Sequence, residues 1–357
     1  MRAAVIWEAG GPFTVHDGVE RRAPGDHDVV LRIHAAGICQ TDISLSRGAF
    51  GQAMPVVLGH EGAGEVIEIG AQVSGWRPGD RALLTWVPSC GRCYHCLRGE
   101  TYICAARKRA GDLGGEDLRA DGRPVMAGMG TATFASEAVV PESALIPIPP
   151  DLPYEEAALL GCGVPTGLGA ALNSARIRPG DTAVVTGCGL VGLSAVQGSR
   201  IAGASRIVAV DPQESRRDRA VALGATHAFA PGDTAISAVL DGPGFDVGID
   251  AVGTSTTIRA TWGLVRRGGT LVVVGAGQPD DQVVFSATEL FHDEKTLRGS
   301  FYGSCNMRFE VPRMVGLWRS GQLRLSELID DVVDLGEIND AVGRQLSGDV
   351  LRVVLSA

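Results

Sequence analysis

The sequence predicts an α/β chain in two parts: a mostly-β half from which a cysteine-rich lobe projects, and a parallel, doubly wound sheet. Three observations carry this reading. Short apolar runs bounded by Gly, Pro or Asp fill the first half. From residue 182 onward strand and helix patterns alternate, as they do in a parallel sheet with crossover helices. Within the first half Cys90, Cys93, Cys96 and Cys104 crowd into fifteen residues. At 357 residues the chain is longer than one typical domain.

Taken in order, Ala3–Trp7, Val29–His34 and Gly64–Ile69 read as strands, and Ala138–Val140 as part of another. Helical periodicity is scarce in this half. The proline-rich stretch Pro147–Pro153 breaks the pattern. Beyond it Thr182–Thr186 is a β-branched strand, Leu190–Ala202 a helix, Ile207–Asp211 a strand and Glu214–Leu223 a helix. Val247–Ala251 and Thr270–Val274 are further apolar strands, with the helical Ser255–Val265 between them. A helix around Val311–Ser320 then precedes a last strand, Leu351–Leu355. This tail is assigned to the first part, which makes the parallel sheet an insertion.

Composition narrows the function classes. A 45% hydrophobic and 20% charged chain is ordinary for a globular protein in water. A net charge of −9 and the lack of a Lys/Arg run oppose nucleic-acid binding. Glu8 comes too early for a secretory signal, and no apolar stretch is long enough to span a bilayer. Eight cysteines without secretory features suit the reducing cytoplasm.

The spacing of the four clustered cysteines is C-x2-C-x2-C-x7-C. Four thiolates this close form a closed tetrahedral zinc site, with no position left for chemistry. Tandem C-x2-C pairs are too tight to bridge locally as disulfides without strain. The iron–sulfur run has a shorter last gap and a proline after its fourth cysteine, where this chain has Ala105. His95 lies inside the cluster, but four sulfurs already fill the shell.

Gly187-Cys188-Gly189-Leu190-Val191-Gly192 fits G-x-G-x-x-G. The motif alone is weak in a chain with 49 glycines; its context, after a strand and opening a helix, is specific. Gly187 permits the turn, Gly189 admits a pyrophosphate and Gly192 lets helix and strand pack closely. Leu190 and Val191 open the helix whose N-terminus faces the phosphates. Asp211 follows Gly192 by nineteen residues, where a carboxylate accepts from an adenosine ribose and repels a 2′-phosphate. This favours NAD over NADP. Arg216 and Arg217, one turn on, are placed to brace the ribose, to admit a 2′-phosphate or to sit in solvent as helix charges.

Three further motifs are Gly37-Ile38-Cys39-Gln40-Thr41-Asp42, Gly59-His60-Glu61-Gly62 and Gly161-Cys162-Gly163-Val164-Pro165-Thr166-Gly167. Singly, each has a structural reading, with buried thiols and a satisfied histidine. With the cysteine lobe, the glycine motif and the C-terminal Gly348-Asp349-Val350-Leu351-Arg352, they resemble the zinc-dependent alcohol dehydrogenases of the medium-chain dehydrogenase/reductase superfamily. The likeness runs over essentially the whole chain. It implies a GroES-like catalytic domain over 1–163 and 303–357, and a Rossmann NAD-binding domain over 164–302. It also implies two zincs per chain: a catalytic ion on Cys39, His60 and Cys162, and a structural ion on Cys90, Cys93, Cys96 and Cys104.

Three ligands leave the fourth position open for substrate or water, as a Lewis-acid site requires. By the same resemblance Glu61 and Asp42 stand behind the ligands, Thr41 takes the substrate proton, and Thr166 and Arg352 contact the cofactor. The implied reaction is hydride transfer between a primary alkyl, allylic or aryl alcohol and NAD, in a homodimer or homotetramer.

Two positions depart from the commonest family pattern. Ser44 stands where liver-type members often carry the histidine that ends a proton relay, and Gln40 stands where a cationic residue commonly meets the pyrophosphate. Gly122-Arg123-Pro124 and Gly130-Thr131-Ala132-Thr133-Phe134 resemble the liver-type and glutathione-dependent formaldehyde dehydrogenase branch. In that alignment Phe50, Trp86 and Met129 line an apolar substrate cleft. Arg47–Pro55 holds no acidic residue for a glutathione amine, which counts against the thiol-adduct reading; Lys108 keeps it open. A non-catalytic zinc- and nucleotide-binding protein is the alternative from another class, and the complete Cys39/His60/Cys162 set argues against it.

Overall fold

The computed structural model describes residues 1–106, 117–240, 242–278 and 280–357; Lys108 lies outside them. The described residues form two compact units. One comprises Met1–Cys162, Met307–Val315 and Leu325–Ala357, and the other Gly163–Asn306 and Gly316–Arg324.

The first unit is built on two sheets, and one strand organises its functional end. Val29, Val30, Leu31, Ile33, Ala35 and Ala36 are all fully or almost fully buried, so Asp28–Gly37 reads as a nearly continuous apolar run. A strand buried on both faces has this composition. Along one edge it pairs antiparallel with Glu61–Ile69, and along the other with Glu137–Pro141 and the C-terminal Val353–Ser356. Gly37 is in register with Glu61. Cys39 and His60 therefore leave and enter neighbouring strands at the same end of the sheet. The helix Tyr154–Leu159 packs on both strands and leads to Cys162. A Cβ on Gly161 would lie 2.9 Å from the Leu84 carbonyl oxygen, a close approach that brings the chain down beside Glu61.

The second unit holds a six-stranded parallel sheet: β1 (Thr182–Thr186), β2 (Arg206–Val210), β3 (His227–Phe229), β4 (Phe245–Asp250), β5 (Val265–Val273) and β6 (Thr296–Gly299). The order is β3-β2-β1-β4-β5-β6. Strand order reverses beside β1, which makes the carboxyl ends of β1 and β4 the switch point where α/β sheets bind ligands. Val184, Val208, Val210, Ile236 and Phe245 form the core on one face. The helix Leu190–Ile201 follows the glycine turn; residues 170–175 wind as a π-helical turn before β1.

Candidate metal centre and nucleotide turn

Cys39, His60, Glu61 and Cys162 converge, with one ligand atom from each lying within 4.8 Å of the others. Asp42 organises the first two. It sits in the first turn of the helix Gln40–Ser46 and is fully buried. Its Oδ2 accepts from the Cys39 N–H at 3.1 Å; its Oδ1 accepts from the Gly59 N–H at 3.1 Å and lies 2.9 Å from His60 Nδ1. A carboxylate at Nδ1 fixes the hydrogen there and leaves the Nε2 lone pair outward. His60 Nε2 is buried and has no hydrogen-bond partner. An orphaned imidazole nitrogen beside two thiols suits a zinc ion chemically.

Charge in the centre is shared. The Cys162 thiol, hydrogen-bonded to Cys39, holds Cys39 well below the ordinary thiol range and is itself pushed up. Burial disfavours a charged His60, but Asp42 and Cys39 outweigh it and push the imidazole up. Burial lifts the Glu61 carboxyl to about 7, against the pull of Arg352. Arg352 is 4% exposed; Nη2 donates to Glu61 Oε1 at 3.3 Å and Nη1 donates to the Ile38 carbonyl. In this position Arg352 braces Glu61, where the family resemblance implies a cofactor contact.

Thr41 and Ser44 are half-buried on the same helix, three residues apart and so on one face. Trp86 meets His60 edge-on, with ring centroids 5.9 Å apart. Met129 is 3% exposed, in left-handed backbone (φ 53°) within a turn that Thr131 ties to the Gly59 carbonyl at 2.8 Å. Phe50 is on the turn Ala49–Gly51 and is 46% exposed. The structure thus brings Trp86 to the centre and the Met129 turn to the strand entry, while Phe50 is open to solvent.

In the lobe, Cys90 Sγ lies 3.9 Å from Cys96 Sγ, and Cys93 Sγ 3.9 Å from Cys104 Sγ. Sulfurs at the corners of a tetrahedron about 2.3 Å from zinc are ~3.8 Å apart. The Cys96 and Ala105 N–H groups donate to Cys93 Sγ and lower its thiol to about 6. His95 is outside the set and pairs with Glu100 at 3.0 Å.

The glycine turn has the form its motif requires. Gly187 adopts φ 86°, and a Cβ on Gly192 would stand 1.7 Å from the Gly187 carbonyl oxygen. A Cβ on Gly189 would meet nothing within 4 Å, so the backbone there is open to a phosphate. Asp211 is only 3% exposed: Oδ2 accepts from the Cys188 N–H at 2.8 Å and Oδ1 from the Gln213 N–H at 2.9 Å. It therefore fastens the glycine turn to the end of β2. Arg216 is half-buried beside it, its Nε without a hydrogen-bond partner, and Arg217 donates to the Asp211 carbonyl at 2.9 Å. Thr166 is half-buried on the helix Gly163–Gly169.

A doubly wound sheet with this turn, and in the same chain a cluster of two thiols, an imidazole and a carboxylate, are the parts a metal-dependent dehydrogenase needs. Comparison with known proteins makes the class specific. Residues 25–150 match the family described as alcohol dehydrogenase GroES-like domain, and residues 191–318 that described as zinc-binding dehydrogenase. The chain is 34% identical over 364 residues to the NDMA-dependent alcohol dehydrogenase of Amycolatopsis methanolica, covering 99% of this chain and 98% of that one. It superposes with TM-score 0.92 on an alcohol dehydrogenase zinc-binding domain protein of Burkholderia ambifaria, at 33% identity, and on the benzyl alcohol dehydrogenase of Acinetobacter calcoaceticus, at 29%. Each alignment covers 99% of this chain and 98% of the other. The chain belongs to the zinc-dependent alcohol dehydrogenases of the medium-chain dehydrogenase/reductase superfamily.

Proposed function

We propose that this alcohol dehydrogenase uses NAD as hydride acceptor, carries two zincs per chain and oxidises primary alkyl, allylic or aryl alcohols reversibly to aldehydes. The observation that carries the reading is the orphaned Nε2 of His60 between the Cys39 and Cys162 thiols. Cys39, His60 and Cys162 would hold the catalytic ion, and Cys90, Cys93, Cys96 and Cys104 the structural one. Bound zinc lowers the pKa of an alcohol and bound NAD takes up its hydride.

The chain's own residues supply the rest. Asp42 holds His60 in the ligating tautomer, and Thr41 accepts the alcohol proton. Trp86 and Met129 offer the alcohol an apolar wall, with Phe50 at its rim. Gly187, Gly189 and the first turn at Leu190, Val191 and Gly192 receive the pyrophosphate. Asp211 takes the adenosine ribose, Arg216 braces it, and Thr166 supports the nicotinamide half. Arg352 enters as the brace of Glu61. Eight thiols, none of them in a disulfide, favour the cytoplasm. No helix among the described residues is long and apolar enough to cross a membrane. Strand β6 is the outer strand of its sheet, and Leu290, Phe291 and Leu297 on and near it are exposed; this supports a homo-oligomer.

One relative's dependence on NDMA favours a second reading, in which this chain too requires NDMA for turnover. A screen of aliphatic, allylic and aryl alcohols separates the two, run with NAD, NADP or NDMA and with or without glutathione. Catalytic accumulation of NADH with NAD alone is expected. Turnover only with NDMA, only with glutathione, or preferentially with NADP overturns the corresponding part. Elemental analysis should give two zincs per chain; one zinc, or any iron, contradicts the metal assignment.

A further inference from the structure

Behind the carboxyl end of the parallel sheet is a cluster of hydroxyls that the reaction as described leaves unused. Ser174 is 2% exposed, in the π-helical turn of residues 170–175. Its Oγ lies 2.8 Å from Ser300 Oγ and 2.9 Å from Ser304 Oγ. Next to it, Asn173 Nδ2 donates to the Gly303 carbonyl at 3.4 Å.

The segment so held is strained. Tyr302, Gly303 and Ser304 are three successive residues in left-handed backbone, at φ 53°, 66° and 52°. Two of them carry side chains that disfavour it, and such runs persist only where the surroundings over-determine them. A Cβ on Gly303 would stand 2.1 Å from the Pro165 carbonyl oxygen, so the turn is pressed against the helix Gly163–Gly169. π-Helical turns are themselves rare and concentrate at functional places.

Position gives the strain a purpose. Asp211 follows β2 and the glycine turn follows β1, so a dinucleotide with its adenosine over β2 and its pyrophosphate over β1 sends its other half toward β4, β5 and β6. The strained turn follows the carboxyl end of β6 and is tied to β5, the Ser300 N–H donating to the Val273 carbonyl at 2.9 Å.

We propose that Ser174, with Ser300 and Ser304, is a positioning device: it locks the turn Tyr302–Ser304 in the one backbone state that accepts the nicotinamide half of the cofactor. This rests on the reading of the chain as an NAD enzyme. The lock keeps the competent conformer dominant before the cofactor arrives. When only a fraction of molecules is competent, the apparent Kd rises by the inverse of that fraction.

The test compares two ligands on zinc-replete protein by calorimetric titration. NAD spans the whole site, whereas ADP-ribose carries the adenosine, pyrophosphate and ribose without nicotinamide. Ser174→Ala should weaken NAD about tenfold, the effect of roughly one neutral hydrogen bond of pre-organisation. Its affinity for ADP-ribose and its zinc content should stay at wild-type values, which also certifies that the domain is folded. Ser304→Ala should act in the same direction, and the double variant should be little worse than Ser174→Ala alone, because both remove one shared bond. Equal weakening of NAD and ADP-ribose, unchanged NAD affinity in Ser174→Ala, or strictly additive effects would each overturn the lock. Failure of wild type to bind either ligand would instead remove the NAD reading beneath it.

Discussion

At the scale of single residues, Asp42 does more than orient a histidine. Its two oxygens hold the Cys39 N–H, the Gly59 N–H and His60 Nδ1, so one carboxylate sets the backbone at Cys39 and the ring of His60. Asp42→Asn keeps the shape but loses the charge that favours Nδ1–H. It should weaken catalytic zinc about 10–100-fold, as loss of such partners does elsewhere. The check is zinc release to a chromogenic chelator, where the fast-releasing ion should be affected and the lobe ion should not. Ser44 supports a second prediction. A hydroxyl cannot take up a proton near neutral pH, so solvent base must remove the last one. Alcohol oxidation should therefore rise with pH and with buffer concentration. Ser44→His should raise the neutral-pH rate by up to about 10²-fold where proton transfer limits turnover. Coincident pH profiles, with a primary deuterium isotope effect proving that hydride transfer limits both proteins, would discard the relay argument. Asp42 and His60 could be read from their motifs; Arg352 against Glu61 could not, because 291 residues separate the partners and no local pattern encodes their meeting.

Elements were legible where a local rule was strong. Thr182–Thr186 and the helix after the glycine motif lie where β-branched content and the turn signature put them. Val29–His34 proves to be the middle of Asp28–Gly37, whose ends are set by neighbouring strands and not by its own composition. The strands Phe13–His16 and Arg123–Ala127 escape notice because each mixes polar residues, or a proline, into a short run that only its partner stabilises. Likewise β6, Thr296–Gly299, is four residues with a charged centre, and it becomes a strand by pairing with β5. The glycine turn gives the sharpest prediction at this scale. Gly192→Ala drives a methyl against the Gly187 carbonyl oxygen, which is backbone and cannot swing away. The unit should lose at least about 1–3 kcal/mol, the usual range for overpacking. Dinucleotide binding in equilibrium dialysis should fall with it, while the metal centre in the other unit keeps its zinc. Tight binding in this variant would show that the turn can open.

Over the whole molecule, long-range ties matter more than any one surface charge. Arg2 meets Asp334 with two hydrogen bonds, at 2.8 and 2.7 Å, joining segments 332 residues apart. The Arg2 guanidinium and the Gly336 N–H lower the Asp334 carboxyl to about 2. A depressed carboxylate stabilises above its unfolded value and loses that contribution as pH falls through the folded one. The contribution should therefore be complete at neutral pH and fade between about pH 4 and 2. Because the pair is largely exposed, Asp334→Asn should cost under about 1 kcal/mol at neutrality. It should also flatten the acid limb of Tm against pH; an unchanged acid limb would mean that the pair contributes nothing. The strand Val353–Ser356 ties the chain over a comparable span, pairing with the strand that delivers Cys39, and Arg352 just before it is the cation beside Glu61. During translation, Cys39 and His60 emerge early and wait through the synthesis of the parallel-sheet unit. Only when residues 352–356 leave the ribosome can the sheet close and the buried carboxylate find its counter-charge. A nascent chain stalled or cleaved before that point would hold Cys39, His60 and Cys162 and still leave Glu61 without its cation.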